Sequence, residues 1–229
     1  MIRLAVVILA SLILADPCPG QDAAGPPVPA PAAGEPDHLV PVPPDPVPAS
    51  YRAAWHARLG VPRGREAGVM IRLPSFEPEE CLVIRESADD PPAYTLTHAR
   101  ADRNIWYALA ANRDDGRAQT VAVTRTEARL PPDLGRRACR NWDRMLRNVR
   151  YPAPGEGEGG CDGVTTEFRR ERMYGETWSP EGGSPAALVD LGLALIAACD
   201  APEAKRAEAL KQVEERCAAL ERYLDKAAR

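Results

Sequence analysis

The sequence predicts an α+β fold: a mainly antiparallel sheet of four to six strands, covered by an amphipathic helix and a C-terminal αα-hairpin. Three observations carry this. Short runs rich in Val, Ile, Thr and aromatics follow one another between residues 69 and 128, separated by Pro, Gly and Asp. Residues 133–149 and 203–228 repeat apolar side chains at spacings of three and four. Between them, residues 186–199 carry a single charge, Asp190, as a helix buried on most sides would.

The chain opens with one charge, Arg3, and then an apolar run from Leu4 to Ala15 interrupted only by Ser11; Asp16, Pro17 and Gly20 close it. This is the plan of a secretory signal peptide over 1–20. The run is too short to span a bilayer, which takes about 20 apolar residues. Residues 21–50 hold many of the 24 prolines and show no helical or strand period, so they read as an extended, disordered Pro-rich linker. Residues 51–229 are expected to form a single α+β domain. A periplasmic or secreted location follows, with no stable membrane insertion after signal cleavage.

Within the domain, Ser50 is expected to cap a short helix closed by Gly60, with Trp55 and Leu59 on one face. Strands are expected at 69–73, 81–87, 94–99, 104–110 and 120–128, making an antiparallel meander. Pro131-Pro132-Asp133 opens a helix whose stripe is Leu134, Ala138, Trp142, Met145 and Val149; arginines cover its other faces. Gly163–Arg170 alternates as a half-buried strand, and a polar loop with Tyr174 and Trp178 is expected after it. Ser184 and Pro185 start the apolar helix, in which Gly192 permits a neighbour to approach closely. Asp200-Ala201-Pro202 turns into the last helix, with Ala207, Leu210, Val213, Cys217, Leu220 and Leu224 inward.

Chemistry is sparser. A net charge of −4 argues against a nucleic-acid partner. The three His residues are not in metal-ligand spacing and no Cys-x-x-Cys occurs, so neither a metal nor a cofactor is expected. Six Cys in an exported chain suggest disulfides, with Cys139–Cys161 as one expected pair. Cys199 and Cys217 are excluded as partners, because Cys217 lies about 20 Å down the second helix from their turn and a disulfide needs Cα atoms within about 7 Å. Cys161 with His98 and Asp162 has the residue types of a thiol nucleophile, base and orienter, and Glu167 with Glu176 those of a glycosidase pair. Neither has a specific spacing, and no catalytic residue is assigned. What remains is a binding surface of Arg169, Arg170, Arg172, Tyr174 and Trp178, the residue types that dominate interfaces and read anions. It points to a protein or an anionic ligand. The competing expectation is that Trp178 packs beneath the apolar helix and anchors the core. The chain therefore reads as a non-catalytic binding or interaction module, with a hydrolase or an envelope spacer as alternatives; its oligomeric state is not legible.

Overall fold

A computed structural model describes residues 38–43, 48–62, 67–114, 120–151 and 162–227. The expected signal peptide and most of the expected linker lie outside these residues. The elements are α1 (Ala49–Leu59), β1 (Gly68–Pro74), β2 (Glu80–Glu86), β3 (Tyr94–Ala101), α2 (Ile105–Asp114), β4 (Val123–Leu130), α3 (Pro132–Arg147), β5 (Val164–Arg170), β6 (Met173–Trp178), α4 (Gly183–Asp200) and α5 (Glu203–Ala227). The six strands form one antiparallel sheet in the order β4-β3-β2-β1-β5-β6. With the C-terminal helix pair, this is the α+β class that the sequence predicts.

The sheet is covered on both faces. On one face Met70, Leu82, Leu96 and Phe168 pack with Trp142 and Met145 of α3, Leu188 and Leu191 of α4, and Val213 and Leu220 of α5. On the other, Val69, Ile71, Val83 and Ala99 pack with Trp55 of α1 and Ile105 of α2. The second layer has a sequence trace: Cys81-Leu82-Val83-Ile84 does not alternate, as expected of a strand with both sides buried, and all four are.

Helix α4 is long and apolar enough to cross a membrane by length and composition, yet it is the central core helix, with Leu188, Leu191 and Leu195 fully buried. Gly192 gives it its close approach: a Cβ there would lie 2.2 Å from Met70 Sδ. Two arginines of α3 hold the outer helix, Arg137 to Glu221 and Arg144 to Asp225 (2.7 Å).

Four expectations need correction. Residues 104–110 are not a strand but the start of α2. Asn104 Oδ1 accepts the Tyr107 N–H (3.1 Å), as a helix N-cap does, and the Glu79 carboxylate accepts the N–H groups of Ile105 (2.7 Å) and Trp106 (3.3 Å). The expected polar loop after β5 is strand β6, which reverses through Glu171 and Arg172 and pairs with β5 along its whole length. The linker does not reach residue 50: Leu39 is fully buried, and Val40 exchanges two backbone hydrogen bonds with Glu176 (2.8 and 2.9 Å). Finally, Ser50 lies inside α1, which starts at Ala49 behind Pro48 and closes at Gly60 (φ 66°), whose conformation favours glycine.

Candidate functional site

Of the five residues expected to bind a partner, Arg169 and Tyr174 meet, but the five do not form one patch. Arg169 and Arg170 leave opposite faces of β5. Arg169 meets Glu167 (2.6 Å) and lies over the rings of Trp55 and Tyr174, whereas Arg170 pairs with Asp143 of α3 (2.9 Å). Arg172 is exposed in the β5–β6 turn. Trp178 is 41% exposed at the end of β6 and does not lie under α4. Strand geometry explains this: Tyr174, Glu176 and Trp178 share the face of β6 opposite to α4.

That face builds a site from residues given other roles at the sequence level. A cleft of about 400 Å³ opens between the starts of α1 and α2, the end of β1, and strands β5 and β6. Its walls are aromatic. The Tyr51 and Trp106 rings stand edge to face, 5.2 Å apart at 85°, and Tyr107 stacks on Phe76 at 6.4 Å. Its floor is the directly opposed pair Glu167 and Glu176. The wall is held rigidly from behind. Glu79, fully buried, accepts the Tyr51 hydroxyl (2.8 Å) along with the first two α2 amides, and so ties α1 to α2. Burial and the adjacent Glu79 carboxylate hold the Tyr51 phenol above its ordinary pKa. Asn104 is also committed, donating to Pro74 O (3.3 Å) and Glu77 O (2.9 Å).

The two floor carboxyls differ. Glu167 is 1% exposed and ion-paired with Arg169. The Glu176 side chain has no hydrogen-bond partner among the described residues. Burial, reinforced by Glu167 and opposed by Arg52, pushes its pKa up to about 7. An unfolded Glu titrates near 4.3. Between those values the folded state holds the extra proton, so this group's effect on stability is most favourable at low pH and worsens as pH rises to 7. Glu176→Gln should therefore be more stable than the native chain at pH 8 by about 1–2 kcal/mol, after discounting for partial exposure. The difference should nearly vanish near pH 4. Urea unfolding at the two pH values checks this; an equal difference at both would remove the buried-acid reading.

His98, the candidate base, is elsewhere and occupied. Its Nδ1 faces Asp200 (2.9 Å) and its Nε2 faces Glu80 (3.2 Å), which Arg72 also holds. Burial acts to lower its pKa, but the hydrogen bonds to the two carboxylates outweigh burial and hold it above the ordinary value. A ring so held ties β3 to the end of α4, and both of its nitrogens are occupied by carboxylates. Cys161 lies outside the described residues. The other expected disulfide partner, Cys139, is a buried free thiol, as are Cys81, Cys199 and Cys217. Burial pushes the Cys139 thiol up to about 11 and those of Cys81 and Cys217 to about 12, so these residues pack the core as small apolar groups.

The cleft was half legible. Glu167 and Glu176 stand out as a carboxylate pair, but reading 104–110 as a strand hides the helix that supplies Trp106 and Tyr107. The signal that finds it is Asn104 before an Ala-rich run, with Ile105 and Ala108 buried three apart. No family model matches this chain, and no curated protein or solved structure matches it.

Proposed function

We propose that the chain is an exported, non-catalytic binding module whose ligand sits in the cleft between α1, α2 and the β5–β6 edge. The observation that carries this reading is the cleft itself: a concave, aromatic-walled space with a few fixed polar groups is the usual form of a small-molecule site. Its walls are pinned by Glu79 and Asn104, so the site is formed before any ligand arrives. Export rests on the N-terminal sequence alone.

Ligand-observed NMR with a panel of small amines, sugars and carboxylic acids tests the reading. Binding that Trp106→Ala weakens is expected. A panel in which no compound binds, or whose binding ignores Trp106→Ala, would sink it. Recovery of the product only in the cytoplasm, with Met1 retained, would overturn export separately.

A hydrolase is the second reading, favoured by Glu176: a carboxyl that keeps its proton near neutrality beside another carboxyl is the pattern of a general acid. Against it, the Glu167 carboxylate is buried and held by Arg169, which limits its reach to a substrate. Turnover of aryl glycosides that Glu176→Gln abolishes would establish the enzyme; absence of turnover leaves the binding module.

A further inference from the structure

We propose that the cleft recognises an organic ammonium group, held against the half-exposed Trp106 ring beside Tyr51 and above the Glu176 carboxylate; this rests on the binding reading above. The lining contains no Lys, Arg or His, and its charged side chains are the two glutamates. Two of the lining groups that could serve an anion are spent. Asn104 donates both to Pro74 O and to Glu77 O, and the Tyr51 hydroxyl donates to Glu79. Of the two floor carboxyls, Glu176 is the one without a hydrogen bond of its own. The half-exposed Trp106 ring, propped edge to face by Tyr51, and the Glu176 carboxyl line the same cleft and offer a cation a negative ring face and a counter-charge in a partly dry space. The cleft volume suits a headgroup of a few heavy atoms and a short chain.

Binding is linked to one proton. Glu176 feels Glu167 of β5, which raises its pKa, and Arg52 of α1, which lowers it. Arg169 is paired with Glu167 (2.6 Å) and faces His56 (3.4 Å), and Tyr51, which lines the same cleft, is bonded to Glu79. The arginines are not among the lining residues, so an entering cation meets the carboxyl first. The cation favours ionised Glu176 and displaces its proton. Affinity then falls with acidification below about pH 7, by up to about tenfold per pH unit.

The test is calorimetric titration of the protein with choline and with n-butylammonium at pH 8, against the uncharged tert-butyl analogue of choline, glucose and acetate. At least one ammonium should bind about tenfold or more tighter than the uncharged analogue. Glu176→Gln should remove that preference while the far-UV circular dichroism is unchanged, and Trp106→Ala should weaken binding. Equal or better binding of the uncharged analogue, glucose or acetate in the cleft overturns the ammonium assignment and leaves the binding module standing. No binding by any of the five overturns the assignment. A preference for ammonium that survives Glu176→Gln also overturns it.

Discussion

Glu79→Ala is expected to lower stability by about 3 kcal/mol, a fall in Tm of about 6–12 °C for a domain of this size. The Glu79 carboxylate is fully buried and takes three hydrogen bonds, from the Tyr51 hydroxyl and from the backbone of Ile105 and Trp106. Truncation leaves two amides at a helix N-terminus and one buried phenol without a partner. Each such group costs about 1–3 kcal/mol, partly offset because a buried carboxylate is itself costly to desolvate. Glu79→Gln keeps the shape and one acceptor oxygen, and the Tyr51 hydroxyl can turn to accept from the new amide. It should cost about 1 kcal/mol. Thermal unfolding of both variants decides the matter. Equal Tm values would mean that α2 does not depend on this carboxylate. Any ligand of the cleft should also be lost in the alanine variant well below its Tm, because Trp106 is no longer held against Tyr51.

Gly135→Ala is expected to be destabilising by about 2 kcal/mol although alanine is the better helix former. Helix propensity alone would favour the change by up to about 1 kcal/mol. A Cβ at Gly135, however, would stand 2.3 Å from Cγ and 2.7 Å from Cβ of Tyr94. Those atoms are the root of a ring that is 3% exposed and donates its hydroxyl to Glu86 (2.8 Å), so the side chain cannot swing aside and α3 must move off the sheet. Such overpacking costs about 1–3 kcal/mol, sometimes more. Gly192→Ala supplies the contrast. Its added Cβ meets Sδ and Cε of Met70, the mobile end of a flexible side chain, and should cost less. A Gly135 variant as stable as the native chain, measured by urea denaturation, would mean that the α3–β3 contact is slack.

Helices α3 and α5 were legible because their burial follows from sequence period alone. Ala138, Trp142 and Met145 are buried as their spacing demands, and so are Val213, Cys217, Leu220 and Leu224; Ala207, at the start of α5, is exposed. The other face was not legible. Asn-Ile-Trp-Tyr has strand-like composition, and the carboxylate that turns it into a helix start comes from Glu79, about 25 residues earlier in the chain. No local pattern encodes that contact. The segment with Tyr174 and Trp178 reads as a polar loop, yet it is a strand whose Gly175 admits Leu39 and Val149, whose side-chain atoms lie 2.8–3.1 Å from where a Cβ would be. The arginines were visible as a cluster in sequence, but a strand sends neighbours to opposite sides, and Arg169 and Arg170 each found a carboxylate there. The cysteines suggested cross-links; four of them instead fill apolar space.

The pairing of β1 with β5 has a consequence for how the chain matures. Val69 meets Arg169 across about a hundred residues, whereas β1 through β4 pair in sequence. During synthesis the first four strands can zip together early while β1 waits with an open edge. Until β5 arrives, that edge exposes Val69 and Ile71 together with their unpaired backbone groups, a template for strands of other chains. Closing so long a loop is slow compared with forming hairpins. The central strand is therefore paired on both edges only once the C-terminal half of the chain has emerged.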